Sequence, residues 1–137
     1  MPGYSGTPLA KKLGLKDGFR IRLIDTPAEV KTELRDALAK CRIGTDNLDF
    51  IFLFAKSRAD FESQLKESAK RLAPAGMLWA SWPKKTSGVP TDLNENLIRE
   101  IGLKSSLVDI KVCAVTDIWS GLKFVIPVKD RPKQSKP

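Results

Sequence analysis

Cations and hydroxyl groups gather in two short segments that each follow an apolar run of this sequence. Residues 56–58 follow the run that ends at Ala55, and residues 84–88 follow the run that ends at Trp82. Ammonium groups, hydroxyls and free backbone N–H groups all favour negative charge, so these residue types suit a phosphate or carboxylate. The predicted anion-binding residues are Lys56, Ser57, Arg58, Lys84, Lys85, Thr86, Ser87 and Gly88.

Other side chains are expected at the same edge of the predicted sheet. Asp25 follows the first predicted strand, Trp82 ends a later one, and Trp119 lies in a turn, where packing is the commoner role. Tyr4 and Ser5 could lie across the edge as a lid. In one alternative Asp25 is the acid or base of a small transferase that acts on an anionic substrate. In another it forms an ion pair with Lys56 or Lys84, and no ligand binds.

The absence of histidine from the sequence excludes several kinds of chemistry. Ser-His and Cys-His nucleophile pairs and nearly all zinc sites need histidine. We therefore predict no metal site and assign no catalytic residue. Cys41 and Cys113 belong to no Cys-x-x-Cys pair. Cys113 lies in the apolar run 112–115 and is predicted to be a buried thiol. Any enzyme would rely on Asp, Glu, Lys, Tyr or a cofactor.

Length and composition predict one globular domain over residues 1–128 and a basic, disordered tail over 129–137. The longest uninterrupted apolar run, residues 50–55, is far shorter than the ~20 residues needed to cross a bilayer. No secretory signal is visible, which predicts a cytoplasmic protein without membrane contact. The oligomeric state is left open by the sequence.

The net charge of +8 is concentrated at the two ends of the chain. Residues 1–22 hold five basic side chains and one acidic side chain, as do residues 123–137, and the segment between them is neutral. A basic surface suits nucleic acid. Binding through the two basic ends is therefore a third alternative, and it requires both ends to share a face.

The order of the predicted elements indicates the fold. A short helix over 8–13, capped by Thr7 and stopped by Gly14, precedes three strand-helix units and two final strands. The predicted strands cover 20–24, 48–55, 77–82, 107–115 and 122–128, and the longer helices cover 28–40, 58–72 and 92–101. The last two strands are joined too closely for a crossover helix and must be antiparallel. We predict an α/β class, three-layer α/β/α sandwich with a mostly parallel, Rossmann-like sheet and a C-terminal antiparallel strand pair.

Two segments resemble the class I S-adenosylmethionine methyltransferases. Residues 13–21, LGLKDGFRI, are similar to the lead-in to their first strand, and residues 72–78, LAPAGML, to the join before their fifth. The family carries a Gly-rich loop after its first strand, where this chain has IDTPAE at 24–29. The strand that would supply an acidic ribose ligand has room only for a stub. S-adenosylmethionine is therefore predicted to be an unlikely cofactor.

Longer strings resemble a small bacterial family whose domain has no assigned function. These are YSGTPLAKKLG at 4–14, WPKK with SG between 82 and 88, and KVCAV followed by WSGLK between 111 and 123. The resemblance implies the fold and transfers no activity. We therefore predict a binding domain of methyltransferase-like fold, without S-adenosylmethionine-dependent activity, that holds an anionic small molecule or protein partner.

Overall fold

The computed structural model describes residues 8–131, in which a six-stranded sheet lies between two layers of helices. The strands are β1 (Arg20–Ile24), β2 (Arg42–Ile43), β3 (Leu48–Phe54), β4 (Leu72–Pro83), β5 (Val108–Ala114) and β6 (Trp119–Val125). The helices are α1 (Leu9–Leu13), α2 (Ala28–Glu33), α3 (Arg35–Leu38), α4 (Arg58–Ala69) and α5 (Glu95–Lys104). The predicted fold class is confirmed. Within residues 8–131, no helix has the length and apolar character that a membrane span requires.

The strand order is β2-β1-β3-β4-β6-β5. Strands β2, β1, β3 and β4 are parallel, and β6 is antiparallel to both of its neighbours, β4 and β5. From β1 the chain first goes to β2 on one side and then returns to β3 on the other. The strand order therefore reverses between β1 and β3, and such switch points are where open α/β sheets bind ligands.

The sheet is buried on both faces because β3 alternates large apolar side chains in both directions. Phe50, Phe52 and Phe54 pack with α1 and α2, whereas Ile51 and Leu53 pack with α4 and α5. All five are at most 1% exposed, which confirms the prediction of a central strand covered on both sides.

The two tryptophans of β4 point to opposite faces, as their spacing predicts. Trp79 lies in the cluster with α1 and donates from Nε1 to the carbonyl oxygen of Leu13 at 2.8 Å. Trp82 lies in the cluster with α4 and α5.

The predicted helix over 58–72 is too long. It ends at Ala69, and the predicted stop at residues 74–76 lies inside β4. The pairing of β4 with β3 shifts between Leu48 and Phe50, because β4 has three more residues than β3 there and bulges out. A Cβ at Gly76 would clash with the carbonyl oxygen of Leu48, so glycine allows this close approach.

Other predicted bounds also change. The helix predicted over 28–40 is divided at Leu34 into α2 and α3, and β2 is the expected two-residue stub. Helix α5 begins after Asn94, whose Oδ1 accepts from the Leu97 N–H at 2.9 Å, so Asp92 is not its cap. Trp119 opens β6 and is buried there, because its ring meets Phe54 edge-on with centroids 5.0 Å apart.

The structure also tests several predictions for the two ends of the chain and for Cys113. Gly14 has the predicted left-handed backbone, with a φ of 77°. Thr7, Tyr4 and Ser5 lie outside the described residues. Residues 128–130 form a 3₁₀ turn, and the boundary of the predicted tail stays a prediction. Cys113 is half-buried on the edge strand β5 rather than buried, and burial raises the pKa of its thiol.

Candidate functional site

The turn after β3 and the loop after β4 meet at the C-terminal edge of the parallel strands. The hydroxyl of Thr91 donates to the carbonyl oxygen of Lys56 at 2.6 Å. The carboxylate of Asp92 accepts from the backbone N–H of Arg58 at 2.7 Å. These bonds fix the loop after β4 against the turn after β3, and two cavities open on either side of the contact.

The first, which we call the switch-point cavity, lies where β1 and β3 end. Its volume is about 650 Å³, within the range of small-molecule sites. Phe54 and Trp119 provide apolar walls, and its charged lining residues are Asp25, Glu29, Lys56 and Asp60. These residues lie at the ends of strands, in the turns that follow them, or in the first turn of the next helix, as expected at a topological switch point.

The charges of the switch-point cavity are unbalanced. Three carboxylates face one ammonium group, and none of the four takes part in an ion pair formed within residues 8–131. The ion pair of Asp25 with Lys56 or Lys84 that one sequence interpretation requires is therefore not formed. This cavity carries negative charge in a protein whose net charge is +8.

The turn after β1 has an unusual backbone. Asp25 adopts a φ of 54°, in the left-handed region that glycine favours, and its side chain lines the switch-point cavity. In the next residue, the Oγ1 of Thr26 is buried and has no hydrogen-bond partner among residues 8–131. Strain and unsatisfied polar groups of this kind cluster at functional sites.

The second, which we call the lysine-loop cavity, has a volume of about 660 Å³. Lys84, Lys85 and Gly88 line it together with Trp82. The two acidic residues in its lining already have partners: Asp92 accepts from Arg58 N–H, and Glu95 pairs with Arg99 at 2.7 Å. Neither lysine belongs to an ion pair formed within residues 8–131, and the Asp92 carboxylate keeps its negative charge in the lining.

The remaining predicted residues serve the local structure. Ser57 caps α4, since its Oγ accepts from Asp60 N–H at 3.1 Å, and the Arg58 side chain bonds Glu62 at 3.2 Å. Ser87 Oγ donates to the Lys84 carbonyl at 2.6 Å, and Thr86 is exposed. Five of the eight predicted residues line the cavities, Lys56 and Ser57 in one and Lys84, Lys85 and Gly88 in the other. Anion binding by the eight residues stays a prediction.

Sequence reasoning missed the acidic character of the switch-point cavity. The sequence interpretation gave Glu29 no role beyond a counter-charge to the cations and treated Asp60 only as part of a helix, although each lies in the first turn of a helix that directly follows a strand. That position is a usable signal, because the first turn of such a helix faces the same edge of the sheet. Within residues 8–131, no three His, Cys, Asp or Glu side chains are grouped so that they could hold one metal ion.

The fold is shared with known methyltransferases. A SAM-dependent methyltransferase from Aquifex aeolicus is 16% identical, with a TM-score of 0.57 and 86% of this chain aligned to 87% of that one. A TehB-like SAM-dependent methyltransferase from Corynebacterium glutamicum is 10% identical, with a TM-score of 0.55 and 90% of each chain aligned.

A putative type 11 methyltransferase from Sulfolobus solfataricus is 16% identical, with a TM-score of 0.52 and 94% of this chain aligned to 93% of that one. Identities this low establish a methyltransferase-like α/β fold and nothing finer. No family model matches the chain, and no curated protein matches its sequence. The resemblance to a small bacterial family therefore stays a prediction.

Proposed function

We propose that this protein is a small-molecule binding domain of methyltransferase-like fold whose ligand occupies the switch-point cavity. The ligand we propose carries a positively charged centre beside an apolar group. The observation that carries the proposal is the set of three carboxylates, Asp25, Glu29 and Asp60, placed around aromatic walls at the switch point.

The charge of the cavity selects the class of ligand. Three carboxylates opposite one ammonium group attract a cation and oppose a free anion, and this preference weakens with salt because Asp25 and Glu29 are exposed. Aromatic side chains favour quaternary ammonium groups, which are large and weakly hydrated. Lys56 can then contact a carboxylate or hydroxyl elsewhere on the same ligand.

The turn after β1 and the short strand β2 do not fit S-adenosylmethionine bound as the resemblance to the methyltransferases implies. The turn after β1 presents the Asp25 side chain where the family has glycine, and a side chain there keeps a cofactor away from the backbone. Strand β2 ends at Ile43, which pairs with Ile21, three residues before β1 ends at Ile24. No acidic residue of β2 therefore reaches the cavity, and we propose no methyl transfer from this cofactor. The transferase alternative using Asp25 stays a prediction.

Titration monitored by ¹H–¹⁵N NMR with choline and its uncharged isostere 3,3-dimethylbutan-1-ol tests the charge preference. We expect choline to shift the amide signals of Asp25 and Ala55 and the indole signal of Trp119, and the isostere to shift them far less. The variant Asp25→Asn/Glu29→Gln should lose the response. Asp36→Asn/Asp46→Asn removes the same charge from other exposed positions and should keep it.

Two results would contradict the proposal. Equal shifts from choline and its isostere would show that charge does not select the ligand. Micromolar binding of S-adenosylmethionine, measured by calorimetry, would show that the methyltransferase cofactor is held despite Asp25 and the short β2.

A second candidate function is anion binding in the lysine-loop cavity, which the sequence predicted in part. It is favoured by two lysines, Lys84 and Lys85, that line the cavity without an ion pair formed in residues 8–131, while Glu95 is paired with Arg99. Calorimetry with pyrophosphate and with nucleotides tests it. We expect Lys84→Ala/Lys85→Ala to abolish the heat of binding, and unchanged affinity in that variant would reject the anion site.

A further inference from the structure

Four lysines form a basic cluster on the face of the sheet that α1 covers, away from both cavities. We call Lys12, Lys16, Lys111 and Lys123 the α1-face cluster. Lys111 and Lys123 repel each other, and Lys16 lies close enough to Lys123 to lower its pKa as well, although burial is the main cause of that shift. A methyl group built on Gly14, at the end of α1, would lie 3.9 Å from the Nζ of Lys123.

Lys111 and Lys123 are direct partners across the antiparallel strands β5 and β6. Both point to the α1 face, because Lys123 in turn pairs with Trp79, whose ring is buried there. Like charges directly opposite each other on neighbouring strands destabilise a sheet. The fold therefore keeps an unfavourable pair at this position.

In residues 8–131 the hydrogen bonds that the cluster donates go to backbone carbonyls, and the acidic residue next to it in the sequence is Asp17, beside Lys16. The Nζ of Lys12 donates to the Ala114 carbonyl oxygen at 3.1 Å, and the Nζ of Lys111 donates to the Lys12 carbonyl oxygen at 3.3 Å. These carbonyls orient two ammonium groups but carry only partial charge. No ion pair formed within residues 8–131 includes any of the four lysines.

We propose that the α1-face cluster binds the phosphate backbone of a nucleic acid without reading its sequence. Two lysines are held in place by backbone carbonyls, a third is half-buried, and their unpaired positive charge is what phosphodiester groups neutralise. The exposed ammonium groups of Lys16 and Lys111 extend this charge over a loop and an edge strand.

An extended polyanion suits the position of the cluster better than a single phosphate. It joins the two basic segments of the chain, because Lys12 and Lys16 belong to the first and Lys123 opens the last. Lys111 adds a further charge from the edge strand β5. Three lysines from the two basic ends therefore lie on one face, which is part of what binding through both ends requires.

Fluorescence anisotropy with a labelled 20-nucleotide single strand and a 20-base-pair duplex, over a series of salt concentrations, tests this site. We expect Lys111→Gln/Lys123→Gln to weaken duplex binding roughly tenfold and to reduce the slope of log K against log salt by about 2, since each lost phosphate contact contributes ~0.9. Lys66→Gln/Lys104→Gln on α4 and α5, and Lys31→Gln/Lys70→Gln at two other exposed positions, remove the same charge. Both should change affinity less than about twofold.

A measurement of thermal stability distinguishes loss of the site from misfolding, because the substitutions remove a like-charge pair and should not destabilise the fold. Lys111→Gln/Lys123→Gln should melt at the same temperature as the parent protein or higher, while it binds more weakly. Equal losses in all three variants would show only a net-charge effect and would overturn the site. Absence of duplex binding by the parent protein at low salt, or displacement of the duplex by an equal concentration of inorganic phosphate, would overturn it as well.

Discussion

The carboxylate of Asp92 accepts a hydrogen bond from the backbone N–H of Arg58, the first residue of α4, at 2.7 Å. A residue from the loop after β4 thus satisfies the start of the helix after β3. This contact lies between the switch-point cavity and the lysine-loop cavity, and it fixes the Asp92 carboxylate against the start of α4.

Replacement of Asp92 by alanine should destabilise the protein. The loss of an N-terminal helix cap costs about 1 kcal/mol, and we expect that reduction in the free energy of unfolding measured with urea. Asp92→Asn keeps an acceptor oxygen and should cost less. Asp46→Ala, at an exposed turn, is the matched control and should leave stability unchanged. An effect of Asp92→Ala no larger than that of the control would contradict the capping role.

Gly102→Ala should also destabilise the protein, although alanine is the better helix former. A Cβ at this position of α5 would clash with the ring of Phe124 on β6. The overpacking cost of ~1–3 kcal/mol is expected to exceed the helix-propensity gain of up to ~1 kcal/mol. A double-mutant cycle with Phe124→Leu measures the coupling, and additive effects of the two substitutions would show that the predicted clash does not occur.

Ser81→Ala is expected to leave stability unchanged or raise it by about 1 kcal/mol. The Ser81 hydroxyl is buried in β4 and has no hydrogen-bond partner in the described part of the chain, so its removal relieves the desolvation cost of a buried polar group. Ser87→Ala should have the opposite sign, since Ser87 Oγ bonds both the Lys84 carbonyl and the Val89 N–H. Chemical denaturation of both variants checks the pair, and destabilisation by Ser81→Ala would reveal a missed partner.

Because of Lys123, the free energy of unfolding should depend on pH in the alkaline range. Burial, together with Lys111 and Lys16, lowers its pKa in the folded protein below the ordinary 10.5. Between these two pKa values the unfolded chain binds more protons, so stability rises with pH there and the penalty of the charged form is fully present at pH 7. We expect Lys123→Gln to be more stable than the parent at pH 7, by a margin that shrinks towards pH 10.5. A margin independent of pH, measured by thermal unfolding, would contradict this origin.

Local patterns predicted the elements well and the contacts between them poorly. The bounds of β1 and the continuous burial of β3 follow from side-chain types that are neighbours in the sequence. The end of α4 was misplaced because the bulge of β4 opposite Leu48 depends on pairing with another strand. Asp92 was assigned to its own helix for a similar reason, since nothing local indicates that it caps α4 instead.

The sequence by itself determined the α/β class, the order of its elements, the absence of histidine chemistry and the charge of the two ends. These depend on composition and on hydrophobic spacing, which are local properties of the chain. Only the tertiary structure decided that Lys56 lies among carboxylates, that Lys84 and Lys85 line another cavity, and that Lys111 lies opposite Lys123. The physical reason is that electrostatic environment and strand register depend on distances between residues far apart in sequence, which packing of the core sets.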